Sequence, residues 1–112
     1  MKRFLVLILC FLLIPSTANA GQADFGRPVG IIFTQWNVVL FTTNGVRYNP
    51  PTSCANFQVN RFAIPTNTDW GKAMVSMLLT AQARGKRVWI NGSGNCNLWG
   101  DSEGVDYLVI ED

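Results

Sequence analysis

Thr68-Asp69-Trp70-Gly71-Lys72-Ala73-Met74-Val75-Ser76-Met77-Leu78-Leu79-Thr80-Ala81-Gln82-Ala83-Arg84-Gly85 is the clearest helical stretch of the chain. Trp70, Ala73, Met74, Met77, Leu78 and Ala81 fall at i, i+3, i+4, i+7, i+8 and i+11, which makes one apolar stripe. Thr68 or Asp69 can accept hydrogen bonds from the free amides of the first turn, and Asp69 suits the positive end of the dipole. Arg84 stands at the opposite end, and Gly85 can take the left-handed conformation that closes a helix. Met74 and Met77 could line an adaptable groove, but at this spacing both are expected in the core.

Outward from the helix the apolar period changes from about 3.6 to two. Downstream, Lys86–Asn91 alternates Val88 and Ile90 against Arg87 and Trp89, and Val105–Ile110 alternates again, so each reads as a strand. Asn91–Gly94 is a turn, and Asn95–Gly104 a polar loop. Upstream, Phe57–Ile64 reads as a strand ended by Pro65. Pro28–Gln35 and Trp36–Thr43 read as two more, joined near Trp36 by a turn or a bulge and followed by the turn signal Asn44-Gly45. Arg47–Asn56 is a loop, and Gly21–Arg27 a mobile polar lead-in. The expected fold is α+β and mainly β: a five-stranded OB-fold-like barrel with one helix between strands 3 and 4, its apolar stripe plugging one end.

The stretch from Arg61 to Asp112 carries a recognisable pattern. A helix ends Ala81-x-x-x-Gly85-Lys86, and a strand follows. Gly92-x-Gly94-x-Cys96-x-x-Trp99-Gly100-Asp101-x-Glu103 then precedes the last strand. In this it resembles a group of small exported bacterial proteins. The layout of leader, OB-fold and single disulfide is more distantly similar to the B subunit of subtilase cytotoxin and related AB5 toxin B subunits. That similarity implies pentameric rings that bind host glycans. No sugar-binding motif of that family has a counterpart here, so none of its site residues is carried over.

Met1-Lys2-Arg3, the apolar run Phe4–Ile14, Pro15 and the small-x-small Ala18-Asn19-Ala20 form a cleavable secretory signal over residues 1–20. The run is too short to span a bilayer, for which roughly 20 residues are needed. Leu9 before Cys10 argues against a lipoprotein, and an uncleaved anchor is the remaining alternative. A single domain, 21–112, should follow. Lys2 and Arg3 leave with the signal, so of nine basic residues seven remain, against seven acidic ones. A neutral mature chain gives no support to nucleic-acid binding, or to polybasic attachment to membranes, and neither is expected.

Cys10 leaves too, so Cys54 and Cys96 are expected to form one disulfide; free thiols or a metal site are the alternatives. Without a histidine or a second cysteine pair, neither a metal nor any other cofactor is expected. Histidine-assisted nucleophilic catalysis is excluded on the same ground.

Candidate ligand-binding residues gather in the polar loop: Asn97, Trp99, Asp101 and Glu103. Trp99 could stack on a sugar face while the others exchange hydrogen bonds with hydroxyl groups. It could equally cover one end of a small core, which is the reading we favour on the sequence. Asp101 and Glu103, two apart, would lie about 6.5–7 Å apart on an extended segment, a separation compatible with inverting glycosidases. The oxygen-rich run lacks the spacing of an EF-hand loop. Asn91-Gly92-Ser93 fits a glycosylation sequon but is read as a turn. Trp36, Phe41, Trp89, Arg47, Arg61 and Arg87 could be assembled into a single-strand-binding face, against which export and neutral charge both argue.

The expected function is a non-enzymatic exported binding module, periplasmic or extracellular, that recognises glycan or protein surfaces as a homo-oligomer. The alternatives are a small hydrolase using Asp101 and Glu103, or a purely structural periplasmic protein.

Overall fold

The computed structural model describes residues 20–112, so the expected signal lies outside the described residues apart from Ala20. Among the described residues the chain is mainly β, with one helix. The elements are β1 (Gln22–Gly26), β2 (Pro28–Phe33), β3 (Val38–Thr43), β4 (Arg47–Tyr48), β5 (Arg61–Pro65), α1 (Asp69–Ala83), β6 (Val88–Gly92) and β7 (Glu103–Ile110). They form one mixed sheet in the order β2-β3-β5-β7-β6-β1-β4. All ladders are antiparallel except β5 with β7, which runs parallel through Phe62↔Glu103 and Ala63↔Gly104. Among the described residues no ladder closes this sheet into a barrel.

Among the described residues seven strands stand where five were expected, and the two extra ones have simple causes. The segment read as a mobile lead-in is β1, paired with β6 on one side and β4 on the other. Its apolar content is only buried Ala23 and half-buried Phe25, the latter 6.1 Å from the Trp89 ring, too short a pattern to show a period. Backbone pairing on both sides, rather than side-chain alternation, makes it a strand. The two-residue β4 lies within the expected loop and pairs Arg47 and Tyr48 with Ala23 and Gln22.

The strand expected over Phe57–Ile64 is shorter and later. Residues 57–60 are turns and bends, Phe57 is 87% exposed, and Arg61 N–H closes a turn on the Gln58 carbonyl at 3.1 Å. Trp36 does not start a strand. It sits in the turn between β2 and β3, where Asn37 has φ +60 and Thr34 Oγ1 donates to the Val38 carbonyl at 2.7 Å.

Helix α1 is capped as its sequence predicts. Thr68 Oγ1 accepts from Gly71 N–H at 3.1 Å, and Gly85 takes φ +66 just past the end. The buried face is Gly71, Met74, Val75, Leu78 and Ala81, whereas Trp70 is 53% exposed and Met77 also faces water. Gly71 explains the rotation. A Cβ there would collide with the Pro65 carbonyl, so only glycine lets the helix approach β5 this closely, and Gly71 turns inward in place of Trp70.

The helix packs Met74, Val75, Leu78 and Ala81 against Val39, Phe41, Phe62, Ile64, Val88, Ile90, Val105 and Leu108 of the sheet. Phe41 and Phe62 stack at 5.9 Å between ring centroids. The opposite face of β3 and β5 carries a smaller cluster of Val38, Leu40 and Ala63, with Trp99 packed on it. The buried apolar residues of both clusters lie between Ala23 and Leu108, so residues 21–112 contain the whole described core.

Cys54 and Cys96 are bonded, with S–S 2.08 Å and Cα–Cα 6.2 Å. The bridge ties the segment between β4 and β5 to the loop between β6 and β7. A structural disulfide is consistent with an exported protein. Among the described residues no helix is long and apolar enough to cross a membrane.

The rotated helix face gives a paired prediction. Leu78→Ala, at a site with no exposed surface, should cost about 2–5 kcal/mol in urea unfolding. Met77→Ala should stay within about 0.5 kcal/mol, as is usual for surface positions. Equal costs would contradict the docking of α1.

Candidate functional site

The polar loop and its neighbours separate into an inner carboxylate and an outer aromatic corner. Glu103 opens β7, and its pairing with Phe62 on β5 carries it into the interior, where it has no exposed surface. A buried carboxylate is tolerated only when its lone pairs are taken up. Here they are. Arg47 Nη2 lies 2.6 Å from Oε1, while Gly21 N–H and Gly94 N–H each donate to Oε2 at 2.9 Å.

Arg47 is held equally firmly. Its other guanidinium nitrogens donate to the Val59 and Gln22 carbonyls, and its charge lies 4.4 Å above the Phe62 ring. Its side chain is only 6% exposed. Gly92 and Gly21 complete the chamber by what they lack, since a Cβ on either would collide with the Glu103 carboxylate. The Gly92-x-Gly94…Glu103 spacing thus has a physical meaning. Gly92 makes room for the acid, and the Gly94 amide binds it.

Asp101 faces the other way. It sits in a tight turn, closed by Ser102 N–H on the Trp99 carbonyl at 3.1 Å, and not on an extended strand. The period-two argument that placed it beside Glu103 therefore does not apply. Its partner is Arg61, with Nη2 at 2.6 Å from Oδ1, braced by Ser102 Oγ, which accepts from Arg61 Nε at 2.8 Å. Burial alone would raise the Asp101 carboxyl. Hydrogen bonds from Arg61 and Ser102 and the Arg61 charge more than offset this and hold it below its ordinary value of 3.8. The two acids singled out in the sequence are thus bound to different arginines, one inside and one at the surface.

Trp99 is half-buried. It packs on Val38, Leu40 and Ala63 and meets Trp36 edge-to-face, with centroids 5.8 Å apart and planes at 61°. Trp36, on the β2–β3 turn, is 64% exposed. Asn97 is exposed, its backbone N–H on Asn95 Oδ1 at 3.1 Å. Asn95, Asn97 and Gly100 line a shallow hollow of about 280 Å³ beside the disulfide.

Of the residues marked in the sequence, Trp99, Asp101 and Asn97 therefore share one outer loop, and Glu103 lies apart from them. Trp36 joins this corner although it is 63 positions before Trp99, a long-range pairing that no local pattern announces. Arg47 and Arg61 escaped as ion-pair partners because an isolated arginine in sequence does not say which acid it meets. Among the described residues no group of acidic, histidine or cysteine side chains is arranged to hold a metal ion. No protein-family model, curated protein or solved structure matches the chain significantly.

The contrast between the two ion pairs is testable. Arg47→Met strands a buried charge and should cost about 3–5 kcal/mol. Arg61→Met breaks a pair whose acid is 46% exposed and should cost at most about 1 kcal/mol. Because the folded protein holds the Asp101 value down, the contribution of this pair is present above pH 3.8 and is lost as pH falls through the lower folded value. Acid unfolding curves of wild type and Arg61→Met should therefore converge below that point. A constant gap would contradict the assignment.

Proposed function

We propose that the chain is an exported, non-enzymatic binding module whose recognition surface is the corner where Trp36 meets Trp99. The ligand class that fits best is carbohydrate. One observation carries this reading: a tryptophan left 64% exposed on a fixed turn, braced edge-on by a second tryptophan. An exposed indole that core packing does not require offers a flat face for the C–H surface of a sugar ring. Asn97, Asn95 and the Asp101–Arg61 pair supply donors and acceptors for hydroxyl groups on the adjoining loop.

The topology supports the same place. Only Arg27 separates β1 from β2, one pairing with β6 and the other with β3. Taken as a single strand broken at that point, and with the two-residue β4 set aside, they leave five strands with the parallel β5–β7 pair and the intervening helix of an OB-fold. The turn holding Trp36 and the loop holding Trp99 then become the two loops through which OB-folds bind oligosaccharides and oligonucleotides. A mature chain with balanced charge favours the sugar over the polyanion. The disulfide supports export, and the exposed Val29, Ile32 and Phe33 on the outermost strand β2 support self-association into a toxin-B-like ring. A hydrolase using Asp101 and Glu103 has less in its favour, because Glu103 has no surface a substrate could reach.

On a glycan array, Trp36→Ala should lose retained glycans while its unfolding free energy stays within about 0.5 kcal/mol of wild type. Trp99→Ala should lose binding and about 2 kcal/mol of stability, since its indole is half-buried. Undiminished retention by Trp36→Ala would remove this corner as the recognition site.

A further inference from the structure

The hydrogen bond from Gly21 to Glu103 falls at the position where the sequence places the new chain end. If the secretory reading of residues 1–20 holds, water adds across the Ala20–Gly21 peptide bond under a membrane signal peptidase. Ala20 gains a carboxylate, and the Gly21 nitrogen becomes an amine that takes up a proton at neutral pH. In the unprocessed chain this nitrogen is a neutral amide, 2.9 Å from Glu103 Oε2.

We propose that processing creates a latch: the α-ammonium of Gly21 forms an ion pair with the buried Glu103 and locks the first strand of the mature domain into the sheet.

Four features of the site fit this role. Oε1 of Glu103 is occupied by Arg47, whereas Oε2 has no charged partner and faces Gly21 and Gly94 N–H groups. Gly21 is buried while Ala20 is only partly so, so the chain reaches solvent where the ammonium would keep its remaining protons hydrated. Position 21 accepts only glycine, because a Cβ would collide with Glu103 Oε1, Arg47 Nη1 and the Asn49 carbonyl. The Gly21 carbonyl accepts from Gly92 N–H at 2.7 Å, so the residue is held from its other end as well. A shorter or longer start would leave the acid with one partner fewer or with a neutral one. The same carboxylate thereby reads where the chain was cut.

The charged groups facing the ammonium are Glu103, which attracts it, and Arg47, which repels it. Glu103 makes the direct contact. The ordinary value of an α-amine is about 7.7–8.0, and an ion pair raises it in the folded state. The stabilisation is therefore complete below about pH 7.7 and is lost as pH rises through the higher folded value.

The test uses two preparations. The full chain is expressed for export, and the N-terminus of the purified product is sequenced. Separately, residues 21–112, which contain the whole described core, are released from a cleavable fusion, once with Gly21 first and once with Ala20 retained. A charged donor is worth more than a neutral one. At pH 7 the Gly21-first form should therefore have a folded-to-unfolded ratio about 2- to 30-fold higher than the Ala20 form. The gap should close by pH 11, and it should be absent in Glu103→Gln. Equal ratios at pH 7, or a gap unchanged at pH 11, would overturn the latch. If Glu103→Gln does not fold, the pH comparison decides alone. An exported product that starts elsewhere than Gly21 would overturn the processing reading on which the proposal rests. The in-vitro comparison separates that failure from failure of the ion pair itself.

Discussion

The carboxylate of Glu103 has to be solvated by protein, because it has no exposed surface. The structure is organised around meeting that requirement. The side chain at the start of β7 draws in Arg47 from β4, the Gly21 backbone from the foot of β1, and the Gly94 backbone from the loop after β6. These segments are remote in sequence, and two of them, β1 and β4, are too short or too polar to be held by apolar contact alone. A buried ion pair is a poor source of net stability but a demanding one in geometry, since any rearrangement leaves a charge uncompensated. Here it fixes which backbone segments sit side by side.

The disulfide complements that inner clamp from outside. Cys96 lies two residues after Gly94, and Cys54 lies in the segment that leads from Arg47 to β5, so the two constraints bracket the same pair of loops. Closing a loop of this length raises the free energy of the unfolded chain by roughly 4 kcal/mol in the chain-entropy model. The turn at Trp99–Ser102, closed by Ser102 N–H on the Trp99 carbonyl, lies between the disulfide and the start of β7, with its indole half-buried. The proposed recognition corner depends on this. Trp36 is aimed by Asn37 and Thr34 within its own turn, and Trp99 by its packing on Val38, Leu40 and Ala63, so the proposed corner is held in place by contacts the folded chain already makes.

What could be read from the sequence followed from local periodicity. The stripe through Met74, Leu78 and Ala81, the cap at Thr68 and the closing glycine at 85 all appear where spacing and residue type put them. The alternation in β6 was equally plain, whereas β3 is buried on both faces and a register shift against β6 interrupts the period in β7. Illegible were the features set by contacts distant in sequence. Trp70 belongs to the apolar stripe by spacing, yet it faces water because Gly71 lets the helix touch β5 at a different angle. Phe57 has the look of a core residue, but it stands in a turn that Arg47 and Arg61 help to shape. Asp101 and Glu103 are two positions apart in sequence, but Asp101 lies within the Trp99–Ser102 turn and Glu103 opens β7. Adjacency was a poor guide to shared chemistry there, because the strand begins between them.

The central claim is that Glu103 fastens irregular backbone as firmly as the sheet itself. Amide hydrogen exchange of the native protein, followed by NMR, tests it without altering a residue. Gly94 lies in a loop outside any ladder, so its N–H should exchange quickly unless the buried carboxylate holds it. The account predicts protection of Gly94 comparable to Ile90 and Leu108 in the β6–β7 ladder. Exchange of Gly94 as fast as that of the exposed loop residue Asn97 would contradict it.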